Sequence, residues 1–155
     1  MNFLQRLSSG SQWEDKVKEY FELRGYTVEK YECLEMDGES SSPQYYVYID
    51  GSTNNPHPDL ILSMDSNKRY VEVKSFSDYH HFEGKNFLYV NIFNFESYLK
   101  LSKWKSISCH IVFIVQTRDN RWYMNSIDYL NDKKIEFPFK PDKYFWNIKD
   151  LKRIK

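Results

Sequence analysis

A chain of 155 residues with 13 Tyr, 11 Phe and 4 Trp is long enough for one ordinary core and too aromatic to be disordered. No apolar run approaches the roughly 18 residues of a membrane span, and residues 1–10 carry no apolar signal-peptide core. The two cysteines, Cys33 and Cys109, make neither a disulfide framework nor a metal knuckle, so a reducing, cytoplasmic setting is expected.

The net charge is zero, but residues 1–75 hold 8 Lys/Arg against 13 Asp/Glu, while residues 76–155 hold 14 against 9. The imbalance points either to a polyanion partner on the second half or simply to two solvated surfaces.

In chain order, Ser11 followed by Glu14 matches a capping box. Trp13, Val17, Tyr20 and Phe21 then give a stripe near period 3.6, so a helix is expected from Ser11 to the stop at Gly25. Residues 26–33 alternate and read as a strand. Residues 37–43 are a loop of Gly, Ser and acid, and 45–49 are β-prone. The turn-rich stretch 50–58 excludes a regular element. Strands at 59–62 and 69–75, joined by a turn at 65–68, form a β-hairpin. Residues 77–85 read as a polar, mobile loop, and 91–103 have helical spacing. The most apolar strand is 110–115, followed by a turn at 117–120 and a partner strand at 121–124. A short helix starts at Ser126, and the segment from Lys133 is rich in Lys and aromatics. This order predicts a single α/β (α+β) domain over 1–155, with a central mixed β-sheet flanked by helices.

The informative stretch is Pro58-Asp59 and, after 12 intervening residues, Glu72-Val73-Lys74. Strand alternation puts Tyr70, Glu72 and Lys74 on one face and Val71 and Val73 on the other. The Val face is expected to be core, the Glu72 face a cleft, and Asp59 approaches Glu72 across the hairpin. Two carboxylates and an ammonium in one place suit phosphodiester hydrolysis. Carboxylates hold Mg²⁺ with several of its waters, and the ion acidifies a water and polarises the phosphoryl oxygen. A nearby Lys orients that water or offsets charge on the phosphorane. The Val73 carbonyl, between the two side chains, is a further candidate metal ligand. The plain alternative is a surface Glu–Lys pair bridged to Asp59.

Pro58-Asp59…Glu72-Val73-Lys74 resembles the PD-(D/E)xK nuclease superfamily, whose core is restriction-endonuclease-like. Residues 10–14 (Gly-Ser-Gln-Trp-Glu), the amphipathic helix after them and Gly25-Tyr26 resemble the opening of the archaeal-type Holliday-junction resolvases, a branch of that superfamily. The resemblance implies a metal-dependent endonuclease acting on DNA, branched DNA included, with RNA as an open alternative. It implies Asp59, Glu72, Glu14 and the Val73 carbonyl as metal ligands and Lys74 as the catalytic Lys. Mg²⁺ is the expected cofactor, with Mn²⁺ able to substitute, and a homodimer is the expected assembly. A module of the same fold that only binds nucleic acid or protein is the second reading. Residues 34–57 make a longer connection than a compact resolvase has.

Other residues admit two readings each. Glu14 is a metal ligand or a capping-box member. Ser75 binds phosphate or ends a strand. His57 contacts DNA, moves a proton or is solvated. His80, His81 and Lys85 touch a phosphate backbone or lie in a loop. Gln116 and Asn94 are candidates without a fixed orientation. Phe87, Tyr89, Phe93, Phe95 and Tyr98 read as core. Lys100, Lys103 and Lys105 form a phosphate stripe or a helix end favoured by its dipole. The segment 133–155 is a nucleic-acid arm, a dimer contact or packing against the sheet.

Overall fold

The computed structural model describes residues 3–31, 46–48, 54–117 and 120–155. The elements are α1 (Phe3–Glu22), β1 (Thr27–Lys30), β2 (Tyr46–Tyr48), β3 (Asn54–Pro56), β4 (Leu60–Met64), β5 (Asn67–Phe76), β6 (His80–Phe82), β7 (Lys85–Asn91), α2 (Ile92–Lys105), β8 (Ser108–Val115), β9 (Arg121–Ser126), α3 (Ile127–Lys133), β10 (Ile135–Glu136) and β11 (Lys143–Asn147), then a 3₁₀ turn (Ile148–Asp150).

The first helix starts eight residues before the expected cap, so Ser11 lies inside it and the capping box does not exist. Only Gly10 opposes a helix there, at a cost of about 1 kcal/mol relative to Ala, which shifts the balance without breaking the run. Gly25, at φ 93°, ends the turn that follows α1 in the left-handed backbone that glycine tolerates.

Five strands form a mixed sheet in the order β1-β4-β5-β8-β9. Only β5 and β8 are parallel, with β6, β7 and α2 making the crossover. The stripe on α1, Trp13, Val17 and Phe21, packs on one face with Val28, Leu60, Leu62, Val71, Val112 and Ile114. The other face carries Tyr70, Ile111, Phe113, Val115 and Tyr123, covered by Phe95 and Tyr98 of α2, Leu130 of α3 and residues of a second sheet. The α+β expectation, a mixed sheet flanked by helices, holds.

The second sheet, antiparallel in the order β10-β11-β7-β6, was not expected. It corrects the reading of 77–85 as a mobile loop. Strands β6 and β7 are joined by Glu83-Gly84, both left-handed at φ 48° and 73°, as a two-residue hairpin turn requires. The tail from Lys133 is also structured, because β11 is an inner strand between β10 and β7. Part of the 50–58 stretch forms β3, paired with β2. The expected 37–43 loop, and the end of the expected 26–33 strand with Cys33, lie outside the described residues. Among the described residues no helix is long and apolar enough to cross a membrane.

Candidate active site

Strand register decides what meets what. Leu60 pairs with Val71, so the next residue out on each strand brings Asp59 opposite Glu72. The Asp59 N–H still donates to the Val71 carbonyl, at 3.0 Å. The ladder stops there, because the preceding residue is Pro58, which has no N–H to give. β5 continues to Phe76 with β8 beside it. A notch is left on the β4 side of β5. The Asp59 carboxylate fills part of it, its Oδ2 accepting the Val73 N–H at 2.8 Å. In a strand, the N–H and C=O of one residue point to the same edge. The Val73 carbonyl therefore opens onto the notch as well.

One other element, α1, and two further side chains of β5 complete the cluster. The first turn after Trp13 carries Glu14 on α1, whose carboxyl hydrogen-bonds the Asp59 side chain. On the sheet face beyond, Glu72 Oε1 pairs with Lys74 Nζ at 3.1 Å. Glu72 is 5% exposed; its Oε2 has no partner at ordinary hydrogen-bond distance, although the Tyr98 hydroxyl interacts with the carboxylate.

The expectation of an open face there needs correcting. Tyr70, on the Glu72 side of β5, is buried as Val71 is on the other, and α2 lays Tyr98 over Glu72. Both sheet faces are core because each is covered by its own layer. Solvent reaches the site at the end of the strand, where the Lys74 side chain is 28% exposed and Ser75 follows it.

The electrostatics follow from crowding. Burial, then the Glu72 and Glu14 carboxylates, raise Asp59 well above its ordinary carboxylate value. Burial likewise raises Glu14. A hydrogen bond between these two carboxyls needs one proton, which such raised values keep available. Burial works against the Lys74 charge, but the Glu72 carboxylate outweighs it and holds the ammonium above its usual value. Burial pushes Cys109 and Tyr98 up as well, with the Glu72 charge the next cause in each case.

Of the four side chains named from the sequence, the fold pairs Glu72 with Lys74 and Glu14 with Asp59 around the end of β4, and among the described residues no three His, Cys, Asp or Glu side chains stand close enough together to hold an ion. His57 is half-buried rather than in solvent: its ring stacks on Tyr31 with centroids 4.9 Å apart. His80 packs among Tyr89, Phe139 and Phe145, and His81 bonds Asn86 and Asp78, so both are engaged in the second sheet. Lys85 and Gln116 are exposed, and Asn94 donates its backbone N–H to the Asn91 cap of α2. Lys100 and Lys103 are exposed on α2, whose Lys105 sits 4.3 Å over the Trp104 ring. Of the aromatics read as core, Phe87, Phe95 and Tyr98 are buried, but Phe93 is 57% exposed. Tyr98 reads from sequence only as a core aromatic, and Tyr31 as one more strand residue. Neither carries a local signal of its place at the site.

Comparison with known proteins gives one kind of match. No family model matches the chain, and no curated protein matches it. Among the solved structures that match is Hjc of Archaeoglobus fulgidus, a Holliday junction resolvase from an archaeal hyperthermophile. The alignment covers 94% of this chain and 92% of that chain, with a TM-score of 0.60 and 9% sequence identity. At that identity the likeness is one of fold, and the chain has the fold of an archaeal Holliday junction resolvase.

Proposed function

We propose that the chain is a divalent-metal-dependent endonuclease of the PD-(D/E)xK superfamily, cutting DNA phosphodiester bonds in a structure-specific way. The observation that carries this is the pairing of Glu14 with Asp59 and of Glu72 with Lys74 where the β4–β5 ladder ends. The resolvase fold supports the branched-DNA form of the reading. A homodimer fits two-strand cleavage, which needs two sites.

The donor set suits a hard cation. Glu72 Oε2 is a buried oxygen with no partner at ordinary hydrogen-bond distance, and Asp59 is held protonation-prone by burial and by like charges that a cation would relieve. Asp59, Glu72, Glu14 and the Val73 carbonyl would hold Mg²⁺, with Mn²⁺ as substitute. The bound ion supplies an acidified water and a polarised phosphoryl oxygen. The chain's own part is as follows. Asp59 is fixed by the Val73 N–H, so one oxygen keeps its orientation. Lys74 stays charged beside Glu72, its side chain partly exposed at the strand end. There it orients the attacking water and offsets negative charge on the phosphorane. Ser75 follows on the exposed backbone and donates its hydroxyl to a phosphate oxygen.

A non-catalytic nucleic-acid- or protein-binding module of the same fold is the second reading. One observation favours it: among the described residues, no three His, Cys, Asp or Glu side chains already stand grouped as an ion cage. The two readings separate in one experiment. Calorimetric titration with Mn²⁺ is run on the wild type, Asp59→Asn and Glu72→Gln. Mg²⁺-dependent cleavage of duplex, single-stranded and four-way branched DNA, and of RNA, is measured on the same preparations. The nuclease reading expects binding and cleavage in the wild type and loss of both in the variants. A wild type that binds branched DNA but neither takes up metal nor cuts belongs to the second reading.

A further inference from the structure

We infer that the outer face of the second sheet binds an unpaired DNA strand leading away from the candidate site, its rings stacking on bases and its lysines meeting phosphates. The inference rests on the nuclease reading above and names a substrate feature for it: a duplex that carries a single-stranded arm.

The four strands turn two different faces. Leu88 and Val90 of β7, with Tyr144 and Trp146 of β11, join the main core. The residues between them point the other way. On that outer face, register sets His80 opposite Phe87, Phe82 opposite Lys85 and Tyr89 opposite Phe145. The chain between β10 and β11 lies over part of it, with Phe137 about 5 Å from both Phe87 and Phe145 and stacked on Phe139. The cover is incomplete. Phe139 is 48% exposed, and a pocket of about 180 Å³ opens between Phe82, Phe87 and Phe137. Exposed rings gathered in one patch, rather than scattered singly, mark a surface that takes a partner.

Charge and position identify the partner. The strands bring two lysines and no carboxylate to this face: Lys85 stands opposite Phe82, and Lys143 Nζ sits 4.6 Å over the Tyr89 ring. Glu136, the acid of these strands, lies opposite Tyr144 on the other face. The turns add Glu83 and Asp142 against Lys140, so the face keeps an excess of positive charge. Rings beside lysines match an unpaired strand, in which every base offers a π-face and every link a phosphate. In a duplex the bases are stacked on one another, so their faces are not free to meet side chains. A second copy docked here would set each lysine patch against its own equivalent, because an isologous contact pairs a surface with itself. Position agrees. Phe76 follows Lys74 by two residues on the same face of β5. From Phe76, ring contacts run to Tyr89 at 5.1 Å, on to His80 at 6.5 Å and to Phe139 at 6.3 Å. The aromatic face therefore begins beside the partly exposed end of the candidate site.

Fluorescence anisotropy on the full chain, without divalent metal, tests this with a blunt DNA duplex and the same duplex carrying an arm of about ten thymidines. The wild type is expected to prefer the armed duplex about tenfold, Phe139→Ala to lose that preference, and Phe139→Trp, which keeps a ring, to retain it. Changing Lys85 and Lys143 together to Ala should lower the slope of log K against log salt on the armed duplex by about one unit or more. That pair also tests the face if Phe139→Ala folds poorly. Equal wild-type affinity for the two duplexes, or a preference that survives both Phe139→Ala and the lysine pair, overturns the inference. A wild-type dimer that Phe139→Ala turns into a monomer in sedimentation, with armed-duplex binding unchanged, gives the face to a second copy and overturns it too. Cleavage of the same duplexes in Mg²⁺ keeps the two readings apart. A chain that prefers the arm but cuts neither duplex keeps this face and loses the nuclease reading, whereas one that cuts both and shows no preference loses only this inference.

Discussion

The two sheets treat buried polar groups in opposite ways. In the four-stranded sheet the buried polar groups of the described residues find partners nearby. The Trp146 indole N–H donates to the Leu130 carbonyl at 2.7 Å, and the Tyr144 hydroxyl donates to Glu96 Oε1 at 2.8 Å. Around them Phe82, Phe87, Phe137, Phe139 and Phe145 pack edge to face or tilted at about 5 Å. The five-stranded sheet, at its Asp59 notch, crowds three carboxyls and one ammonium and leaves Glu72 Oε2 and His57 Nε2 without partners at ordinary hydrogen-bond distance. Local rules kept in one region and broken in the other distinguish scaffold from site. The aromatic sheet stabilises, and the notch is held in an arrangement that stability alone does not favour.

The sharpest way to break this contrast is to remove a scaffold side chain. Trp146 is fully buried and touches Phe95 and Phe113, with ring centroids 5.3 and 5.9 Å away. Trp146→Ala removes that packing and the indole's hydrogen bond to the Leu130 carbonyl. The expected loss is about 3–5 kcal/mol of unfolding free energy, read by urea denaturation. A loss below about 1 kcal/mol would mean the second sheet does not anchor the fold.

Lys74→Ala probes the site side of the contrast. Cleavage is expected to fall about 10²–10³-fold in single turnover, the usual cost of one transition-state electrostatic contact. Lys74 looks from sequence like a surface ammonium whose loss the fold would not feel. Its pairing with a buried Glu72 changes that, because the lone carboxylate left behind is uncompensated. The single variant should therefore melt lower, and adding Glu72→Gln should restore the melting temperature without restoring cleavage. If instead the double variant cuts DNA at the wild-type rate, Lys74 serves only as a structural counter-ion.

The candidate site's local geometry was more legible in the sequence than the scaffold, for a physical reason. Asp59, Glu72 and Lys74 lie on one hairpin, so period-2 alternation and a short turn suffice to bring them together. Glu14 comes from a distant helix, and the capping logic read from Ser11 placed it wrongly. A helix running straight through Gly10 carries no local mark, since tertiary burial of Trp13, Val17 and Phe21 stabilises it. The second sheet joins segments more than 40 residues apart: Phe87 pairs with Asn147 and Val90 with Tyr144. Glu83-Gly84 makes its hairpin turn without the Asn-Gly or Asp-Gly pair that announces one. The burial of Glu72 under Tyr98 is a matter of layers, invisible in a single strand's alternation.

The smallest expected effect is also the most specific to the contrast, because it runs against the usual sign of a mutation. Asp59 is buried and crowded by Glu72 and Glu14, and its value is raised well above the ordinary carboxylate range. An acid raised on folding binds its proton more tightly in the native state than in the unfolded one. Between its unfolded value, near 4, and its native value, the folded chain then holds more protons. Stability must therefore fall as pH rises through that window and recover as pH is lowered. Asp59→Asn keeps an oxygen to accept the Val73 N–H and gains an amide that can donate to Glu14, but it removes the charge. It should be more stable than the wild type at neutral pH by about 1 kcal/mol, a typical gain when a functional carboxylate is neutralised. That gain should shrink as pH falls toward 4, where wild-type Asp59 is itself protonated. Adding Mn²⁺ should raise the melting temperature of the wild type and not of the variant, since only a group that binds the native state stabilises it. Paired thermal melts at pH 7 and pH 4, with and without the ion, measure all of this. A variant less stable than the wild type at pH 7 would mean the Asp59 carboxylate is a structural bond to Val73 and carries no functional strain.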